Sequence, residues 1–86
     1  MIKFLLGESR ALEFEITHQN NEPFVIREAK YELFKNNELV DEGDMVITDH
    51  ILSVVFTPEE RGFYLFKFLY TIGNATRGGQ YHINVD

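Results

Sequence analysis

The side chains that could bind a metal are few in this sequence, and they lie far apart along the chain. The three histidines, His18, His50 and His82, fall in three different segments. Zinc sites usually draw their ligands from pairs that are only a few residues apart. The spacing of the histidines therefore does not indicate a zinc site.

The acidic stretch "DEGDM" brings Asp41, Glu42 and Asp44 together, and Asp49 follows shortly after. A calcium loop would alternate its oxygen ligands and end in a bidentate glutamate. The stretch lacks both features, so a solvated acidic turn explains it better than a calcium site. We predict no bound metal and no cofactor.

Nucleophilic and acid–base catalysis have equally little support. Ser9 and Ser53 are the only serines, and neither stands in the Gly-x-Ser-x-Gly setting of an exposed nucleophile. Glu13 and Glu15 form a carboxylate pair on one side of an alternating segment, where solvated acids usually protect a sheet edge. We therefore predict that the protein is not an enzyme.

The glycine-rich segment "GNATRGG", residues 73–79, is the remaining candidate for recognition. It lacks the strand-to-helix setting of a phosphate-binding loop, and its "NAT" sequon indicates only a surface loop. We predict a long, flexible hairpin tip that exposes Arg77. Such tips carry recognition in sandwich folds, but we favour a plain connector over a recognition loop here.

The composition indicates one packed globular domain over residues 1–86, since a single core typically spans roughly 50 to 200 residues. Hydrophobic residues make up 44% of the chain and charged residues 26%, which is ordinary for a globular protein. Without cysteines, stability must come from burial, and eight Phe and four Tyr supply it. The net charge of −6 disfavours nucleic acid and anionic membranes as partners.

The apolar run "RGFYLFKFLY", residues 61–70, raises the question of a membrane segment. Crossing a bilayer needs about 20 largely apolar residues, and Arg61 and Lys67 interrupt this run well short of that length. The start "MIKFLL" is too short in its apolar part for a signal peptide. We therefore expect synthesis in the cytosol and no membrane as a partner.

Clusters of Gly, Pro, Asn, Asp and Glu recur at short intervals and predict turns. They occupy residues 6–9, 18–23, 35–38, 42–44, 58–62 and 73–79. The segments between them are about 4 to 11 residues long. Short segments separated by regularly spaced turns are typical of an all-β sandwich or barrel.

Alternation of apolar and polar residues indicates that these segments are strands. Leu12, Phe14 and Ile16 share one side of "ALEFEIT", and the same pattern recurs in "LSVVFT" and "YHINV". The segment "REAKYELFK" contains residues that tolerate a helix. It also alternates, and the "NN" that follows suits a β-hairpin, so we predict a strand there.

The apolar run is then predicted to be the central strand of a sheet. Its even-numbered residues over 64–72 are all apolar and should pack across the sandwich. Its odd side, with Phe63, Leu65 and Leu69, is too apolar for open solvent. We expect a loop, a sheet edge or a neighbouring subunit to cover it, and we predict a partner surface of Phe63, Leu65, Leu69 and Arg77.

Three short motifs support a family resemblance. They are Gly7 and Glu8 after the first strand, Gly62, Tyr64 and Phe66 as Gly-x-Tyr-x-Phe, and Ile83 and Val85 as a closing Ile-x-Val. In this order, over nearly the whole chain, the sequence resembles the Ig-like N-terminal domain of phage baseplate upper proteins and small prophage-encoded Ig-like structural proteins. The family usually has Asp at the position of Glu8.

The resemblance implies an all-β, Ig-like antiparallel β-sandwich of about seven strands that acts as a non-enzymatic virion component. It also implies other tail or baseplate proteins, or further copies of the chain, as partners. The expected location is the bacterial host cytoplasm and then the virion. The alternative is a ligand-binding sandwich such as a carbohydrate-binding module, in which Tyr31, Tyr70 or Tyr81 would stack on sugar rings.

Overall fold

The computed structural model describes residues 2–17 and 23–86, so His18 lies outside the described residues. The described chain forms eight strands in two sheets. The strands are β1 (Ile2–Phe4), β2 (Arg10–Glu15), β3 (Ile26–Lys35), β4 (Glu38–Asp44), β5 (Val46–Thr48), β6 (Ile51–Phe56), β7 (Gly62–Ile72) and β8 (Ala75–Val85). Over these ranges there is no helix long and apolar enough to cross a membrane.

The larger sheet has the strand order β1-β8-β7-β3-β4, and the smaller sheet has the order β2-β6-β5. The described pairs are antiparallel except for β1 and β8, which run parallel. The two sheets pack face to face around one core. This arrangement confirms the predicted all-β sandwich, with eight strands, and is compatible with an Ig-like fold.

The core lies between the sheets, and alternation along each strand directs side chains into it. β7 is the middle strand of the larger sheet, and its even-numbered residues Tyr64, Phe66 and Phe68 are buried as predicted. The buried hydrophobic residues are Phe4, Leu12, Ile16, Ile26, Ala29, Leu33, Met45, Leu52, Tyr64, Phe66, Phe68, Ile83 and Val85. Both sheets contribute to this set, so neither sheet can bury its apolar side alone.

Residues 26–35 form strand β3, so the prediction of a strand is confirmed over the helix alternative. Asn36 and Asn37 follow it, with φ values of 54° and 65°. Two successive residues with positive φ make the turn that matches the twist of a two-residue hairpin, and Asn tolerates this conformation better than most residues. The "NN" pair therefore closes the β3–β4 hairpin where the sequence predicted a turn.

The predicted turn at residues 42–44 is wrong, because these residues belong to β4 and pair with β3. A Cβ atom on Gly43 would lie 3.3 Å from the ring of Tyr31 on the neighbouring strand. Glycine here makes room for an aromatic ring within a strand. It does not reverse the chain.

The predicted long tip at residues 73–79 is also wrong. The chain reverses in a two-residue turn at Gly73 and Asn74, and β8 begins directly after it. A Cβ atom on Gly78 would lie only 2.5 Å from the carbonyl oxygen of Phe68. The second half of the glycine-rich segment therefore serves close packing between β7 and β8.

An aromatic stack joins the two sheets. Phe14 on β2 lies with its ring centroid 4.8 Å from that of Phe68, 5.6 Å from that of Phe66 and 5.0 Å from that of Tyr81. Aromatic pairs of this kind contribute about 0.5–1.5 kcal/mol beyond the area that they bury. The stack therefore holds the smaller sheet over β7 and β8.

Tyr64 ties the start of β7 to the loop that precedes it. Gly62 turns the chain with a φ of 130°, and the hydroxyl of Tyr64 donates a hydrogen bond to the carbonyl oxygen of Glu60 at 2.8 Å. A tyrosine that bonds back to the chain a few residues upstream is the tyrosine corner of Ig-like sandwiches. The Gly-x-Tyr-x-Phe motif thus has a direct structural role.

Replacing Tyr64→Phe should lower the free energy of unfolding by about 1 kcal/mol, because it deletes one part-buried hydrogen bond. The matched control is Tyr70→Phe on the same side of β7, since the Tyr70 hydroxyl makes no hydrogen bond within the described residues. Urea unfolding of both variants measures the difference. Equal losses in the two variants would contradict a stabilising role for the corner.

Candidate interaction surface

The odd-numbered side chains of β7 lie on the side of the larger sheet that points away from the smaller sheet, here called the outer face. Phe63, Leu65 and Leu69 share this side with Lys67, since successive residues of a strand point to opposite faces. Phe63 is 66% exposed and Leu69 is 54% exposed. The structure therefore places three of the four predicted partner-surface residues together.

Two further apolar residues extend this surface onto the neighbouring hairpin. Phe34 on β3 pairs with Leu65 on one side and with Leu39 of β4 on the other. Phe34, Leu39, Phe63, Leu65 and Leu69 are here called the outer patch. Leu39 is 46% exposed, so the patch spans three adjacent strands of one sheet.

A shallow groove of about 440 Å³ runs across this patch. It is lined by Phe34, Asn36, Asn37, Phe63, Tyr64, Leu65, Lys67 and His82. The ammonium group of Lys67 lies 5.1 Å from the centroid of the Phe34 ring, a cation–π arrangement. The apolar floor is thus bordered by polar groups, which is the usual anatomy of a protein–protein contact.

The expectation that a loop covers this side is wrong for the described residues. The exposed fractions of Phe63 and Leu69 show that neither the described loops nor a sheet edge shields them. Of the three covers that the sequence suggested, a loop, a sheet edge or a neighbouring subunit, only the neighbouring subunit is compatible with the exposure of these residues in the described chain. Phe34, Leu39, Phe63 and Leu65 are neighbours on this face, whereas Lys67 separates Leu69 from them. Single exposed apolar residues are common, but a contiguous group of them usually marks an interaction site.

Arg77 does not belong to the outer patch. It lies on β8 opposite Tyr70, and Tyr70 belongs to the even, inward side of β7. Residues directly opposite in an antiparallel pair point to the same side of the sheet. The predicted partner surface is therefore split, because the turn after β7 is shorter than the glycine content suggested.

The outer face is charged around Leu69, at the end of the patch beyond Lys67. A second shallow groove of about 410 Å³ is lined by Lys30, Tyr31, Glu32, Glu42, Gly43, Asp44, Lys67 and Leu69. Cations on β3 and β7 lie here beside carboxylates of β4. A partner that covers the apolar patch would meet both signs of charge next to it, which favours a specific orientation over indiscriminate adhesion.

The candidate metal ligands do not converge in the described chain. Asp41 accepts hydrogen bonds from the Tyr31 hydroxyl at 3.0 Å and from the Glu42 amide at 2.9 Å. His50 stacks on Phe24 with 3.9 Å between ring centroids, whereas His82 lies on the outer face. Residues 2–17 and 23–86 contain no cluster of three metal-binding side chains.

The two serines contact neighbouring residues of the fold, and the two carboxylates of the pair are exposed. The hydroxyl of Thr57 donates to the hydroxyl of Ser9 at 2.8 Å, and Ser53 pairs with Glu13 across β6 and β2. Glu13 and Glu15 are both exposed on the solvent side of the smaller sheet. Burial of Tyr31 and its contact with the Asp41 carboxylate raise the pKa of this tyrosine, so its hydroxyl stays protonated as the donor.

One ion pair links the β3 end to the loop before β7. The ammonium of Lys35 lies 2.8 Å from a carboxylate oxygen of Glu60 and 5.5 Å from the centroid of the Tyr64 ring. The hydrogen bond from Lys35 lowers the pKa of Glu60, and the same bond raises the pKa of Lys35. The ion pair therefore holds Glu60, whose carbonyl oxygen accepts the Tyr64 hydrogen bond, next to the end of β3.

The comparisons with known proteins support the fold and do not add a family. No family model matches the chain, and no curated protein matches it significantly. Among solved structures, an engineered protein determined at 1.98 Å is similar with a TM-score of 0.79 and 9% identity over 99% of this chain. A Bacteroides vulgatus protein described provisionally as a glycoside hydrolase is similar with a TM-score of 0.61 and 18% identity over 100% of this chain.

In both cases this chain spans about a fifth of the other protein, 18% and 17% of their lengths. At these identities the likeness shows the fold alone. A sandwich of similar fold therefore also occurs as one part of longer chains.

Replacing Glu60→Gln should remove a stability contribution that depends on pH. Because the pKa of Glu60 lies below its ordinary value of 4.5 in the folded protein, the contribution is present above that value and is lost as the pH falls through the folded pKa. The stability difference between the native protein and the variant should therefore be larger near neutral pH than in acid. Urea unfolding at both pH values measures it.

The matched control is Glu59→Gln, one residue away and outside any ion pair of the described chain. It should show no comparable change between the two pH values. A stability difference for Glu60→Gln that stays constant from neutral to acid pH would contradict the role of the ion pair.

Proposed function

We propose that this chain is a non-enzymatic protein–protein interaction domain and a structural component of a phage or prophage particle. The observation that carries the interaction role is the exposed outer patch on the larger sheet. Phe63 alone leaves 66% of its surface in water, and exposed aromatic side chains are enriched where proteins bind each other.

The shape of the surface favours a protein partner over a small ligand. Both grooves on the outer face are shallow and open, whereas small-molecule sites usually enclose most of their ligand. The patch lies on the three adjacent strands β7, β3 and β4, which are held in register by backbone pairing. A surface that is fixed by backbone pairing in this way can dock on another folded domain without reordering a loop.

The virion role is supported by the resemblance of the three motifs to the phage baseplate family. In this chain Gly7 turns with a φ of 84°, and a carboxylate oxygen of Glu8 accepts a hydrogen bond from the Leu5 amide at 3.0 Å. Ile83 and Val85 are buried in the core. Other tail or baseplate proteins are the proposed partners, with synthesis in the bacterial cytoplasm before assembly into the virion.

Replacing Phe63→Glu should weaken binding to such a partner by about tenfold or more, because it puts a charge in place of the most exposed apolar side chain of the contact. The matched control is Val55→Glu, which has the same 66% exposure but lies on the solvent side of the smaller sheet. Titration calorimetry with purified tail and baseplate proteins of the same phage or prophage measures both. Absence of binding to all of them, or an equal loss in the two variants, would overturn the proposal.

A second candidate function is carbohydrate binding. It is favoured by the similarity to the protein described provisionally as a glycoside hydrolase and by Tyr81, which is 43% exposed on β8. Tyr70 lies opposite Arg77, on the same side of the sheet as Tyr81. An exposed aromatic ring is suited to stack on a sugar.

If sugar binding is the function, a glycan array should give a defined hit that Tyr81→Ala abolishes and that Phe63→Glu leaves unchanged. The two substitutions lie on opposite sides of the larger sheet, so they separate the two candidate functions. An array without a hit would exclude carbohydrate binding of the sugars displayed.

A further inference from the structure

The outer edge of β8 is open along most of its length. β8 pairs with β7 from Ala75 to Val85, whereas β1 pairs with it only at Ile83–Val85. Among residues 2–17 and 23–86, no strand lies beside β8 between Ala75 and His82. Residues 75–82 are here called the β8 edge.

The backbone groups of every second residue point toward this edge. Just past the strand, the amide of Asp86 donates to the carbonyl oxygen of Phe4 at 3.0 Å, and the carbonyl oxygen of Asp86 accepts from the amide of Leu6 at 2.9 Å. Hydrogen-bonding direction alternates along a strand, so the even-numbered residues face the β1 side. On the β8 edge these residues are Thr76, Gly78, Gln80 and His82.

The two edges of the larger sheet differ in protection. β4, at the opposite edge, carries four carboxylates among its seven residues, and charges on an edge deter the addition of a further strand. The β8 edge has one charged side chain, Arg77, and neither a proline nor a carboxylate. At Gly78 and Gly79 it also has no side chain that would obstruct an approaching backbone.

We propose that two copies of this chain pair antiparallel through their β8 edges, around a two-fold axis. The net charge of −6 makes two copies repel each other over most of their surface, and the acid-free β8 edge is where this repulsion is weak. An edge with alternating donors and acceptors is complementary to itself in the antiparallel direction. This pairing uses the edge and not the outer patch, so it is independent of the proposed function.

Geometry excludes two registers of this pairing. If the two-fold axis passes through Arg77, two guanidinium groups lie directly opposite each other, and like charges at such a position are unfavourable. A centre on Gly79 would bring Ala75 of the second copy beside Ile83, where β1 already pairs. In an antiparallel ladder, residues whose backbone groups face the new strand must lie opposite one another. The two-fold axis therefore passes through a residue and not between two residues.

A centre on Gly78 avoids both conflicts. It places Thr76 of one copy opposite Gln80 of the other, and the two Gly78 residues opposite each other on the axis. Ala75, the first residue of β8 in one copy, then lies opposite Tyr81 of the other copy, two residues before the Ile83 position where β1 pairs. Two five-stranded sheets would become one sheet of ten strands, with the two outer patches on the same side.

Charge substitutions at the facing positions test this register. Thr76→Glu combined with Gln80→Glu places like charges opposite each other twice, and should weaken self-association by about tenfold or more. Thr76→Lys combined with Gln80→Glu places opposite charges there, and should associate at least as well as the native protein. Both side chains are exposed, and thermal unfolding checks that each variant folds.

Sedimentation equilibrium over a wide concentration range measures the association. A native protein that keeps the monomer mass up to its solubility limit would overturn the proposal. Equal association constants for the two double variants would overturn it as well.

Hydrogen exchange gives a second and independent readout of the same pairing. In the monomer the amides of Arg77 and Gly79 are bonded to β7 and protected, whereas those of Gly78 and Gln80 are open to solvent. Raising the protein concentration should protect Gly78 and Gln80 without changing Arg77 and Gly79. Dimerisation that leaves the even-numbered amides unprotected would place the interface elsewhere and overturn the proposal.

Discussion

The packing of Phe14 against the aromatic rings of β7 and β8 is the contact on which the two-sheet arrangement depends. The smaller sheet has strands of three to six residues, whereas β7 and β8 each have eleven. Three short strands cannot cover a five-stranded sheet of this length. The aromatic stack fixes which part of the larger sheet is covered, and thereby which parts stay open to solvent.

This difference in strand length between the two sheets explains which surfaces of the larger sheet stay uncovered. Tyr81 belongs to the stack and is still 43% exposed, because it sits at the margin of the covered area. Beyond it, Arg77 has no part of the smaller sheet packed over it and is exposed. On the other side of the same sheet, no described element packs at all, and the apolar residues of the outer patch are left in water.

The features that the sequence predicted correctly are those that local alternation determines. The odd and even sides of β7 follow from one strand alone, so Phe63, Leu65 and Leu69 could be grouped before any pairing was known. The "NN" turn was also local, because two successive asparagines suit a conformation with positive φ. Phe34 and Leu39 were missed, although the hairpin that closes at Asn36 and Asn37 implies their pairing.

The predictions that were wrong concern residues whose role depends on contacts with the adjacent strand. Gly43 and Gly78 resemble turn residues in the sequence, yet each makes room for an atom of the adjacent strand. Misplacing the end of the β7–β8 turn put Arg77 on a loop tip instead of the inward row of β8. The parallel pairing of β1 with β8 joins the two ends of the chain, and no short-range pattern indicates it.

The open surfaces of the larger sheet are chemically different, and strand geometry keeps them separate. A partner on the outer patch would contact side chains, so substitutions there change which protein is recognised. A strand added to the β8 edge would bond to backbone groups, which side-chain identity affects only through charge and bulk. The even-numbered residues of β8 direct their side chains to the outer face and their backbone groups to the β8 edge. The same residues therefore border both surfaces. Pairing at the edge would then bring two copies of the outer patch onto one continuous sheet, and a partner bound by two weak contacts could be held more firmly than by either contact alone.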